Sequence, residues 1–177
     1  MGASGLKTSP LWLGAMMFGD QTDEAEAGRI VAAAREAGLN AIDTADVYAN
    51  GESERIVGRL IAADRARWVL ASKVANQMGK EANDRGLSRR WLSRALDASL
   101  QRLGTDWIDL YYLHRDDDTT PMEETVHTMG LLIQQGKVLH WGLSEMGLQT
   151  LRRAHAELPI TAVQSEYSML WRGPEKE

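Results

Sequence analysis

Asn40-Ala-Ile-Asp-Thr-Ala-Asp-Val-Tyr48 starts as a short apolar run and turns polar at Asp43. Two more segments do the same. Trp68-Val-Leu-Ala-Ser-Lys73 ends on a lysine, and Ile108-Asp-Leu-Tyr-Tyr-Leu-His114 ends on a histidine. Each run has strand length and apolar content, and each delivers an ionisable side chain at its C-terminal end. In parallel sheets and barrels that end is where reactive side chains gather. The three segments therefore predict a parallel α/β fold with Asp43, Tyr48, Lys73 and His114 brought to one rim.

The remaining chain fits this frame by alternation. Leu11–Phe18 is a near-continuous apolar run, as expected of a strand buried on both faces. Thr22-Asp-Glu opens a helix that places Ile30, Val31, Ala34 and Ala37 at helical spacing and stops at Gly38. Strand 39–44 follows, then a helix over 52–62 with Ile56, Val57, Leu60 and Ile61 on its inner stripe. After strand 68–74 comes a polar loop, 76–86. Ser88 then caps a helix whose Leu92, Leu96, Leu100 and Leu103 seam ends at Gly104. Strand 108–113, a helix over 122–135 closed by Gly136, strand 138–143, a helix over 148–157 and strand 160–165 complete the series. The polar tail 172–177 reads as frayed. Six strands alternating with five helices predict right-handed crossovers within one domain spanning 1–177.

Composition narrows the function classes. The 177 residues include 44% hydrophobic and 25% charged side chains, those of a soluble globular protein. Twenty basic against twenty-five acidic residues give a formal charge of −5 and no basic stripe, which argues against nucleic acid. Without cysteine there are no disulfides and no thiolate metal sites. No run approaches the roughly 20 apolar residues of a membrane span, and the first residues lack a signal-peptide core. A cytoplasmic setting without membrane attachment is the default expectation.

A phenol, an amine, a carboxylate and an imidazole in one place make a proton-transfer site. A phenol ionises near pH 10 and needs a neighbouring cation to donate well at neutral pH. Lys73 supplies a cation, Asp43 can hold it, and His114 can donate to a carbonyl oxygen or orient it. Residue types and spacing alone leave carbonyl reduction and Schiff-base aldol chemistry on Lys73 both open.

Several stretches narrow the choice: Leu13-Gly-Ala-Met-Met-Phe-Gly19, Ile42-Asp-Thr-Ala-Asp-Val-Tyr48, Gly51-Glu-Ser-Glu54, Ser72-Lys73, Asp109-Leu-Tyr-Tyr-Leu-His-Arg115, Gly136-Lys-Val138, Gly142-Leu-Ser144 and Gln164-Ser-Glu-Tyr-Ser168. In this order and spacing the chain resembles the aldo-keto reductase family along nearly its whole length. The resemblance implies a (β/α)8 TIM-type barrel, with about six of its strands and five of its helices in this sequence. It implies that Tyr48, Asp43, Lys73 and His114 match the family's catalytic tetrad. The implied chemistry is NADPH-dependent reduction of an aldehyde or ketone to an alcohol, with a small-molecule carbonyl substrate and NADPH/NADP+ as cofactor.

By the same resemblance Gly14, Asp43, Ser144, Glu145 and Gln164 match cofactor-binding positions. Glu145 departs from the commoner asparagine, and an ionised carboxylate can accept a hydrogen bond but not donate one. Met16 and Met17, with Trp12, are expected at the mouth of strand one, where adaptable methionines could line an apolar substrate pocket. The family's nicotinamide-stacking aromatic, pyrophosphate loop and 2′-phosphate contacts belong to two further βα units beyond the sixth strand, and its N-terminal hairpin to a segment before Met1. A barrel ending at the sixth strand would leave open sheet edges for self-association. The alternative reading is accordingly a catalytically silent partial barrel that acts through assembly.

Other signals carry less. No G-x-G-x-x-G supports a Rossmann domain. His127, His140 and His155 lack ligand spacing, and Asp116-Asp-Asp118 reads as a solvated loop beside His114, so no metal site is assigned. The tryptophans other than Trp12 are expected to pack in the core or between layers.

Overall fold

The computed structural model describes residues 1–176. Six strands, β1 (Leu13–Gly14), β2 (Ala41–Asp43), β3 (Val69–Val74), β4 (Ile108–Leu113), β5 (Val138–Ser144) and β6 (Ala162–Gln164), form one parallel sheet in the order β1-β2-β3-β4-β5-β6. Helices α1 (Glu24–Glu36), α2 (Glu52–Ile61), α3 (Arg89–Leu103), α4 (Met122–Gln134) and α5 (Leu148–Glu157) fill the five crossovers. A doubly wound sheet reverses its strand order at a switch point. Here every strand is laid beside its predecessor, so right-handed crossovers put all the helices on one face and the sheet curls around the other.

Alternation along the strands separates the two faces. Leu70, Val74, Tyr111, Leu113, Trp141 and Leu143 point outward into the main core, against Val31, Ile56, Ile61, Leu92, Leu96 and Met129 of the helices. The neighbouring residues Ala71, Leu110 and Tyr112 point inward, where Met1, Trp12 and Ala162 pack on them. Gly142 serves this inner face. A Cβ there would lie 2.5 Å from the Ala162 carbonyl oxygen and 2.6 Å from the Tyr112 ring. Local chemistry sets the helix starts: Asp23 caps α1 by accepting from the Glu26 amide at 2.8 Å, and Ser88 caps α3 by accepting from Trp91 at 3.3 Å.

Four expectations need correction. The run Leu11–Phe18 is not a long buried strand: only Leu13–Gly14 pairs, and Leu11 is 68% and Met16 52% exposed. The Ala15 amide still bonds the Asp43 carbonyl, but the chain then closes on itself through Asp20 and Thr22 amides to the Met17 carbonyl. Ala37 lies exposed at the C-cap of α1 rather than on its inner stripe. Trp68, Trp91 and Trp141 are buried, whereas Trp171 is 53% exposed in the segment after β6. The tail is ordered through Gly173–Lys176, a 3-10 turn in which Glu175 takes hydrogen bonds from Arg172 and the Tyr167 hydroxyl. The last residue of that tail, Glu177, lies outside the described residues.

Candidate active site

The inward positions at the C-terminal ends of the strands converge. Gly14 is in register with Asp43, Lys73 with Tyr112, and Ser144 with Gln164, so all six strands bring polar or open positions to one rim. Lys73 sits at the centre, with its side chain only 1% exposed. Its ammonium donates to Asp43 Oδ2 at 2.6 Å, the Thr44 carbonyl at 2.9 Å and the Tyr48 hydroxyl at 3.2 Å. An ammonium has three protons, and here each has an oxygen to go to. The amine has no lone pair free for attack on a carbonyl, which weighs against Schiff-base chemistry.

Tyr48 does not stand at a strand end, as the sequence reading had it. It lies five residues beyond Asp43, at the head of a 3-10 turn, Tyr48–Gly51. The following residues Ala49, Asn50 and Gly51 adopt φ of 47°, 53° and 85°, a left-handed run that folds the chain back so the phenol reaches Lys73. Only the last of them is free of the steric cost that such φ imposes on a Cβ.

His114 follows β4, and its ring meets that of Tyr48 edge-on with centroids 5.8 Å apart. Burial, with Lys73 and Arg115 nearby, holds its pKa down at about 4, so the imidazole is neutral at pH 7. Asn76, just past β3, places its side-chain nitrogen 3.0 Å from His114 Nδ1. Donation from that amide makes Nδ1 the acceptor and leaves the ring proton on Nε2. Burial raises the Asp43 carboxyl above its ordinary value, against the opposing pull of Lys73 and the Gln164 amide. Asp43 Oδ1 has no hydrogen-bond partner among the described residues.

The cofactor positions expected from the sequence are distributed unevenly. Gly14, Asp43, Ser144 and Gln164 share the rim, and a Cβ built on Gly14 would meet nothing within 4 Å. That open backbone, the unpartnered Asp43 oxygen and the buried Ser144 hydroxyl suit the close approach of a polar ribose and carboxamide. Glu145 differs. It is exposed, has φ 49°, and its Oε1 accepts from the Glu166 amide at 2.7 Å. Asparagine tolerates that φ better than glutamate, and here the carboxylate is turned to the segment that follows β6. Met16 and Met17 lie exposed on the β1–α1 loop and do not line the cavity of about 680 Å³ beside His114. Asn76, Gln77, Arg85 and Arg115 line that cavity, so its walls are polar.

Asp116 and Asp118 are exposed, as expected of a solvated loop, while Asp117 between them latches this loop to the one before α3. Burial pushes the Asp117 carboxyl up, but hydrogen bonds from Thr119, Thr120 and the Leu87 amide outweigh it and hold the group at about 2. Among the described residues no group of three or more His, Cys, Asp or Glu side chains could hold a metal ion.

The sequence reading missed three participants: Asn76, the Thr44 carbonyl and Asp46. Asp46 is fully buried, and neither carboxylate oxygen has a hydrogen-bond partner among the described residues. Burial, and then the Glu54 carboxylate, push it up to about 8 against the pull of Arg102 and Lys73. A carboxyl that ionises near 3.8 in the unfolded chain and near 8 in the folded one keeps a proton that unfolding releases. Its contribution to stability therefore falls as pH rises between those values, by at most about 1.4 kcal/mol per unit. Asp46→Asn cannot ionise. Its stability relative to the wild type, measured by urea unfolding, is expected to improve steadily from pH 5 to pH 8. Parallel curves for the two proteins would overturn the assignment of a buried neutral Asp46.

The chain is similar to known proteins over most of its length. The model of a family described as Aldo/keto reductase family matches residues 10–177. Two proteins named probable voltage-gated potassium channel subunit beta, from Oryza sativa subsp. japonica and Arabidopsis thaliana, are each 42% identical over 158 residues. Those alignments cover 87% of this chain and 48% of each relative, so the chain spans about half the length of the curated relatives it matches. A solved structure, aldo-keto reductase AKR11C1 from Bacillus halodurans in its holo form, superposes with a TM-score of 0.89 at 36% identity. It covers 99% of this chain, which covers 59% of it, so the six strands correspond to part of that protein's barrel.

Proposed function

Since this chain belongs to the aldo/keto reductase family, we propose that it reduces an aldehyde or ketone to the alcohol, with NADPH as hydride donor. The observation that carries this reading is the Lys73 ammonium held between the Asp43 carboxylate at 2.6 Å and the Tyr48 phenol at 3.2 Å. Bound NADPH supplies a hydride to the carbonyl carbon. The chain's own residues do the rest. Tyr48 accepts from Lys73, which leaves its O–H proton to pass to the substrate oxygen as negative charge develops there. Asp43 and the Thr44 carbonyl fix the ammonium, so the cation stays beside the phenol throughout. Neutral His114 presents Nε2–H to the same oxygen and orients it. Gly14, Ser144 and Gln164 would hold the nicotinamide end of the cofactor at the rim, with Asp43 Oδ1 an available acceptor. Aldehyde-dependent oxidation of NADPH, followed at 340 nm with 4-nitrobenzaldehyde as the probe, tests the reading directly. No oxidation above the rate of the Tyr48→Phe variant would remove it.

The tautomer of His114 gives a sharper test. Asn76→Ala removes one oriented hydrogen bond and is expected to lower kcat/KM about 3- to 10-fold. Asn76→Asp replaces the donor with an acceptor, draws the ring proton onto Nδ1 and leaves Nε2 without a hydrogen to give. Its loss of kcat/KM at pH 7 is expected to exceed that of Asn76→Ala. The reverse order would mean that His114 does not act as a donor through Nε2.

A further inference from the structure

Behind the catalytic residues, on the helix side of the sheet, lies a second set of charges that hydride transfer does not call upon. Glu54 of α2 is fully buried, a costly place for a carboxylate unless it is paired. Its partner is Arg102, in the last turn of α3, which donates from Nε to Glu54 Oε2 at 2.6 Å and from Nη2 to Ser99 at 3.1 Å. The other carboxylate oxygen, Oε1, accepts from the Ser72 hydroxyl at 2.5 Å. Ser72 is the residue before Lys73, so Glu54 grips β3 from outside at the level where Lys73 points inward.

Arg102 also supports the turn that carries Tyr48. A Cβ on Gly51 would fall 2.7 Å from Arg102 Cδ and 3.0 Å from its Nε, so the guanidinium stem runs directly beneath the backbone there. Gly51 is the last member of the left-handed run that returns the phenol to Lys73. One ion pair thus touches both supports of the reacting pair, the turn behind Tyr48 and the strand position behind Lys73. The titratable groups facing it are Asp46, which burial keeps protonated at pH 7, and the Lys73 ammonium, and Tyr111 completes the buried set.

From this arrangement we infer that Arg102, paired with buried Glu54, is a positioning residue that fixes the Tyr48 hydroxyl against the Lys73 ammonium. The inference rests on the proposed carbonyl reduction for its effect on rate, and on geometry alone for its effect on the turn. Removing Arg102 by itself strands a buried carboxylate, so the informative variant neutralises both partners. Glu54→Gln/Arg102→Met keeps the volume and leaves no unpaired charge. In that double variant, amide hydrogen exchange at residues 48–51 is expected to accelerate at least 10-fold, with exchange in β4 and β5 unchanged. With NADPH and 4-nitrobenzaldehyde, kcat is expected to fall at least 10-fold while the KM for NADPH stays within 2-fold. The solvent deuterium isotope effect on kcat is expected to grow, because the misplaced proton donor becomes more limiting. A loss of folded protein alone would leave the isotope effect unchanged. Arg102→Lys, which keeps the charge, should recover part of the rate. Unchanged exchange at 48–51 overturns the inference whatever the activity does. Absent reduction by the wild-type protein overturns the proposed function and leaves the exchange result to decide this one.

Discussion

Tyr48→Phe is expected to lower kcat for carbonyl reduction by about three to four orders of magnitude, the upper range for loss of a positioned proton donor. The substitution removes one oxygen. The ring keeps its edge-on packing against His114, and Lys73 keeps its bonds to Asp43 and the Thr44 carbonyl. NADPH affinity, followed by fluorescence titration, should therefore change by less than about 2-fold, since nothing at the rim positions Gly14, Ser144 and Gln164 is touched. A fall in both quantities together would point to a collapsed site. Retention of the rate would transfer the proton donor to another group and end the assignment of Tyr48.

Lys73→Met is expected to damage activity and folding together, which separates it from Tyr48→Phe. Its effect on kcat should again be about 10³-fold, because the phenol loses the cation beside it. It also leaves Asp43 largely buried without its ion-pair partner, and breaking such a pair costs about 3 to 5 kcal/mol. For a chain of this length each kcal/mol moves the melting temperature by about 2 to 4 °C, so a drop of about 10 °C is expected. Burial already raises the Asp43 carboxyl, and without Lys73 the carboxyl should take up a proton instead of remaining charged. The loss of stability should accordingly be smaller at pH 5 than at pH 8. Adding Asp43→Asn should recover much of the melting temperature and none of the rate. A double variant as active as the wild type would remove Lys73 from the chemistry.

How far the sequence revealed this site depended on whether each signal was local. Asp43, Lys73 and His114 were legible because each ends or follows a short apolar run, and the end of such a run is a local event, whereas Ser144 and Gln164 came only from the family resemblance. Strand–helix alternation made the parallel, right-handed crossovers legible, while the sequential strand order followed only from the barrel that the resemblance implied. Leu11–Phe18 misled because apolarity does not reveal where a chain leaves its sheet. Hydrogen bonds back to the Met17 carbonyl decide that. The exact seat of Tyr48 depends on left-handed conformations at Ala49 and Asn50, which neither residue advertises. Asn76 could be assigned only once its partner His114, 38 positions away, was beside it. Glu54 was harder still. A glutamate on an amphipathic helix reads as solvated, and only the approach of Arg102 from 48 residues away makes its burial tolerable.

The alternation of β3 has a consequence for how this protein can fail. Ser72 and Lys73 are neighbours in the chain yet face opposite environments, one toward Glu54 and the other toward Asp43. Each environment holds a carboxylate. An insertion or deletion that slid the strand by one residue would carry the lysine to Glu54, where an ammonium also finds a partner. Val74 would then stand where the ammonium stood, and Asp43, left without its partner on β3, would carry the cost already expected of Lys73→Met. A slip of this strand is thus penalised in folding as well as in turnover, so soluble expression is an informative first screen for variants of β3.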